Sequence, residues 1–150
     1  MLASEIIEEE CKDHDYQVVL KSQQVNVLYI GSKHTLICQI NADIHLTKFK
    51  ETLLHLIPSF QKLKACQLVV DRRHMFTIHF PALEWFYLIW LPQMMKSGLR
   101  KFHIILPENE LFQFSLRIGK EKILNAHPQL LHQNLTPHFY KNLAEVFQNI

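Results

Sequence analysis

A change of hydrophobic period at Asn41-Ala42-Asp43 constrains this chain more than any other feature. Before it, Tyr16–Lys21, Val25–Ile30 and residues 34–40 are rich in Val, Ile and Tyr and partly alternate, which predicts three strands. Gly31-Ser32-Lys33 makes a turn, so the second and third strands form a hairpin. After the break the period lengthens to about 3.6. Leu46, Phe49, Leu53, Leu56, Ile57, Phe60 and Leu63 then share one helical face, with Pro58 expected to kink the helix or restart its turn.

The alternation then continues. Residues 65–71 form a short, apolar, β-branched run suited to a buried strand. A polar loop over 72–77 precedes a helix over about 81–97, with Pro81 in its first turn and Gly98 at C′. Pro92 is expected to bend it. Residues 101–106 read as a strand and 108–123 as a helix broken near Gly119. Residues 130–133 suggest a last strand, and Thr136 with Pro137 a cap for a helix whose face is Phe139, Tyr140, Leu143, Val146, Phe147 and Ile150. A hairpin followed by alternating helices and strands predicts an α/β fold with parallel pairs.

Composition narrows the function classes. The chain has 150 residues, 48% apolar and 20% charged, which suits one folded domain and excludes wholesale disorder. No stretch approaches about 18 uncharged apolar residues, so no membrane span is expected. The 3 glycines lie far apart, which excludes a dinucleotide-binding turn, a P-loop and a nucleophile elbow. Cys11, Cys38 and Cys66 form no CxxC pair, and the start lacks a signal peptide's basic and apolar segments. A cytoplasmic location is expected.

Glu5, Glu8, Glu9, Glu10, Asp13 and Asp15 fall in the first 15 positions, where Lys12 alone opposes them. The remaining 15 basic and 8 acidic groups leave a formal +7. The plain reading is a solvated acidic tail over 1–15; the sharper one is a short helix capped by Ser4, with Ile6 and Ile7 docked on the body. The basic residues are scattered and form no nucleic-acid motif, so no nucleic-acid partner is expected. The 10 histidines show no HExxH or finger spacing, so no metal and no cofactor are expected. Glu51 and His55, four apart, fit an exposed helical pair, and no serine shows a catalytic setting.

An apolar strand ending in Asp71-x-Arg73, a helix carrying Trp85 and Trp90-Leu91-Pro92, and Gly98 leading into the next strand together resemble the SpoIIAA-like proteins of the STAS superfamily, particularly its small stand-alone bacterial members. The resemblance runs from about Val25 to the C-terminus. It implies a four- or five-stranded mixed sheet with helices packed mainly on one side, an architecture shared with CRAL-TRIO lipid-binding domains. Residues 16–150 would form that single domain. The best-known STAS members switch partners through a phosphorylated serine after a central strand. Residues 71–77 contain no serine here, and Thr77 is their only hydroxyl.

Two candidate sites follow. Arg72, Arg73, His74 and Thr77 lie at a strand's carboxyl end, where they can hold a phosphate or carboxylate; the alternative pairs Arg73 with Asp71 or a helix end and leaves Arg72 solvated. The helix over 81–97 is apolar around most of its circumference, with Trp85, Leu88, Ile89 and Met95 off its core stripe. That suggests a partner surface or an apolar-ligand groove, against plain burial. The leading expectation is a non-enzymatic regulatory or protein-interaction module, with a protein partner or a homodimer. The alternative is a carrier or sensor of a small apolar or lipid-like anionic ligand.

Overall fold

The computed structural model describes residues 2–41, 45–132 and 136–150. Ala42, Asp43 and Gln133, to which the sequence reading assigned a break and a strand end, lie outside them. Six strands form one mixed sheet in the order β1 to β6: Tyr16–Lys21, Val25–Ile30, Thr35–Ile40, Gln67–Asp71, Lys101–Ile105 and His138–Tyr140. The first three run antiparallel and β3 to β6 run parallel. The sheet thus has six strands rather than four or five.

Each parallel pair is joined through a helix: α2 (Leu46–Leu63), then α3 (Phe80–Trp85) continuing into α4 (Leu91–Lys96), then α5 (Glu110–Ala126). Crossovers of one hand that step in one direction place their helices on the same face. Accordingly Phe49, Leu53, Phe60, Phe86, Trp90 and Met94 pack on Val27, Cys38, Leu68, Val70 and Phe102. The indole N–H of buried Trp90, just before α4, donates to the Leu53 carbonyl at 2.6 Å, tying the junction of α3 and α4 to α2. α5 packs beside α3. There Gly119 permits close approach, because a Cβ would lie 3.0 Å from Leu83 Cδ2. This glycine packs within an unbroken helix instead of breaking it.

The opposite face carries α1 (Ala3–Glu10) and α6 (Leu143–Phe147). Ile7 on α1 and Cys11 at its C-terminal end, four apart, are fully buried against Leu28, Ile30 and Ile37. Residues 3–10 are therefore a docked helix and not a solvated tail, because apolar i, i+4 contacts outweigh the local charge. Ser4 lies buried in the first turn, while the Leu2 N–H is held by the Glu5 carboxylate at 2.9 Å.

Three further expectations are corrected. α2 runs unbroken through Pro58, which is exposed, so the Leu54 carbonyl it leaves unpaired is on the solvent side. Pro128–His132 forms a 3-10 turn and not a strand. His138–Tyr140 pairs with β5 as the edge strand, and Asn142 rather than Thr136 caps α6 by accepting from the Glu145 N–H at 2.8 Å. The open edge of β5 overrides the local helix signal at Thr136-Pro137.

Pro92 has the consequence most relevant to the site. It lacks an N–H, and its ring crowds the carbonyl four residues back. The helix widens before it into a π turn over Phe86–Trp90, in which the Leu91 N–H donates to the Phe86 carbonyl. Such turns recur at functional sites, and this one carries Tyr87.

Candidate functional site

Strand alternation decides where the basic loop residues go. Leu68 and Val70 face α2 and α3, whereas Val69 faces α1 and α6. The same parity continues past the strand: Arg72 follows Val70 and Arg73 follows Asp71. Arg73 donates from Nε and Nη2 to Asp71 at 2.9 and 2.8 Å, and from Nη1 and Nη2 to Glu10 of α1, both at 2.9 Å. Asp71 is fully buried. Burial opposes the Arg73 charge, but hydrogen bonds to both carboxylates outweigh it and raise its pKa. Arg73 is thus a structural clamp between α1 and the end of β4.

Arg72 is only 4% exposed. Its backbone N–H extends the sheet by donating to the Ile105 carbonyl at 2.9 Å. Its guanidinium lies 5.5 Å from the Phe86 ring centroid, and Nη1 is 3.5 Å from the Met75 sulfur. Its Nε has no partner, and no described carboxylate pairs with it. Burial lowers its pKa, with Tyr87 and Cys38 opposing the shift. His74 is half-buried with Nε2 unpartnered, and Thr77 is exposed. The structure sends Arg72 and Arg73 to opposite faces of the sheet instead of converging them on one anion.

The second set is also divided. Trp85 is partly buried, edge-on to Phe49 at 6.0 Å and beneath Lys50 at 5.9 Å. Met95 packs on the main core and Leu88 on the cluster between α3 and α5. Ile89 alone of the four is exposed, at 44%.

A site that sequence reasoning missed lies between the π turn, α5 and β6. A cavity of about 380 Å³ is walled by Tyr87, Leu106, Leu116, Leu124 and Phe139, with Gln113, Arg117, Lys120 and Glu121 at its polar positions. That volume is in the range of small-molecule sites, and the lining is mostly apolar. It sits where the parallel strands β5 and β6 end, a common location for ligands in open α/β sheets. A second, more polar depression of about 550 Å³ shares Leu106, Gln113 and Phe139 with it and carries Glu108, Glu110 and Glu145.

Lys120 is half-buried, with Nζ 5.7 Å from the Tyr87 ring centroid. Burial lowers its pKa, and no described carboxylate forms an ion pair with it, although Glu121 lines the same cavity. Tyr87 has its pKa raised by burial and drawn back by the charge of Arg72. This tyrosine therefore has one uncompensated cation over its ring and feels the field of another. The signal available in sequence was Leu116, Lys120 and Leu124 at successive i, i+4 positions, a lysine within an apolar stripe of α5.

Among the described residues no group of three or more His, Cys, Asp or Glu side chains is placed to hold a metal. No described helix is long and apolar enough to cross a membrane. No family model matches the chain, and no curated protein is similar to it.

Proposed function

We propose that this protein binds a small apolar anion, with an alkyl or aryl body in the cavity beside α5 and a carboxylate or phosphate at Lys120, and acts as its carrier or sensor. The observation that carries this reading is Lys120 itself: a partly desolvated ammonium with no ion-paired carboxylate among the described residues, set in a mostly apolar wall over Tyr87. Placing a cation there costs free energy that an arriving anion offsets. The surrounding groups hold and orient an anion, so the proposal is binding without catalysis. The three free cysteines, two of them buried with thiol pKa values pushed up to about 12, suit a reducing compartment such as the cytoplasm. STAS-like kinship, with its link to lipid-binding folds, stays part of this proposal.

A second reading, the protein-interaction module, draws on exposed Phe80 and Phe114, which with Ile78 and Ile118 line a groove of about 230 Å³. Calorimetric titration with decanoate and with decanol, backed by native mass spectrometry, separates the two readings. Decanoate is expected to bind one per chain and decanol far more weakly, with Lys120→Met weakening decanoate about tenfold, the worth of one charge-assisted contact. Equal decanoate affinity in parent and Lys120→Met contradicts the ligand reading, as does a dimer that takes up no ligand.

A further inference from the structure

We propose that Arg72 is a second, inner cation of this site and that the headgroup it takes carries two negative charges, as a phosphate monoester does. This rests on the cavity reading above. Arg72 is buried, its Nε is unpartnered among the described residues, and its guanidinium meets a thioether and a phenyl ring. Buried guanidinium groups are ordinarily paired, as Arg73 one residue away is paired twice. Retention of one with no carboxylate partner among the described residues is explained by an anion that is not part of the chain.

Tyr87 is the residue that links Arg72 with the cavity in this proposal. Its side chain lines the cavity under Lys120 and also feels the Arg72 charge. The Phe86 ring beside the guanidinium meets the Tyr87 ring edge-on at 5.3 Å, and Met75, Tyr87 and Leu106 each pack against both the main core and the α3–α5 cluster. The cavity lining carries Arg117, Lys120 and Glu121, a formal +1, and Arg72 brings this region to a formal +2. Among the described residues neither Lys120 nor Arg72 forms an ion pair with a carboxylate. A monoanion neutralises one of them. A phosphate monoester, near −2 at neutral pH with three acceptor oxygens, satisfies both, and the planar guanidinium suits two of those oxygens at once.

The test is calorimetric titration at neutral pH with decyl phosphate, decyl sulfate and inorganic phosphate, the amphiphiles kept below their micellar concentrations. The intact chain is expected to prefer decyl phosphate over decyl sulfate by about tenfold. Arg72→Met is expected to abolish that preference while decyl sulfate binds as before, and Arg72→Lys to keep part of it because the charge stays and the fork is lost. Inorganic phosphate is expected to bind at least about a hundredfold more weakly, since it buries no apolar surface. Equal affinity for the two amphiphiles, or a preference that survives in Arg72→Met, overturns the role of Arg72 but leaves the cavity reading standing. Inorganic phosphate binding as tightly as decyl phosphate overturns the amphiphile and assigns the site to free phosphate. Failure of both amphiphiles to bind removes the cavity reading itself. An unfolding midpoint of Arg72→Met at or above the parent's shows that the lost preference is not lost folding.

Discussion

On the α1–α6 face of the sheet Arg73 is held by Asp71 and Glu10, whereas on the α2–α3 face its neighbour Arg72 meets the Met75 sulfur and the Phe86 ring. Both leave the end of β4, and both are at least largely buried. The difference is the company each finds. Arg73 neutralises the fully buried Asp71 and pins the N-terminal helix to the sheet, so its charge is used within the fold. Arg72 is a cost to the free protein, and together with Lys120 it marks the side of the molecule that has charge to share with a ligand. A cation's burial alone therefore says little about its role; its partners decide.

Removing the clamp should have the largest effect. Arg73→Met leaves Asp71 as a buried carboxylate without its cation and frees α1, and should destabilise the protein by about 3 kcal/mol or more in urea unfolding. A loss below about 1 kcal/mol would mean the pair adds little to the fold.

The same face offers a second test through His103, which is buried and whose Nε2 lies 2.9 Å from the Gln67 side-chain oxygen while Nδ1 has no partner. Burial, then the neighbouring His138 and Lys101, push its pKa down from 6.5 to about 4. Between those values the unfolded chain binds the extra proton and the folded one does not, so stability falls as pH falls. The gap corresponds to about 3 kcal/mol lost from pH 6.5 down to 4. Denaturation of parent and His103→Gln across that range checks it: the variant should lack this part of the acid sensitivity, and parallel curves would place it elsewhere.

Much of this comparison was legible in the chain, and the rest was hidden for physical reasons. Partly alternating runs marked β1, β2 and β3, and short apolar runs marked β4 and β5, because these strands present apolar side chains to packed faces. The parity that parts Arg72 from Arg73 was present in the same alternation, but a loop carries no register of its own until the sheet extends it, here through the Arg72 N–H and Ile105. β6 was read as helix because its pairing partner lies 35 positions away and its local cap signal is strong. Dense acidity disguised α1, whose placement depends on Ile7, Cys11 and the distant Arg73. The cavity was least visible of all. Tyr87, Lys120 and Phe139 meet there only because a proline-induced π turn, α5 and an edge strand converge.

The most direct test of the contrast between the arginines is urea unfolding of Arg72→Met beside Arg73→Met, without ligand and under identical conditions. Exchanging a buried guanidinium that has no carboxylate partner among the described residues for an apolar side chain of similar length should leave stability unchanged or raise it by about 1 kcal/mol, while Arg73→Met loses about 3. If Arg72→Met falls as far as Arg73→Met, Arg72 is a structural cation like its neighbour, and the division of labour between the two faces is wrong.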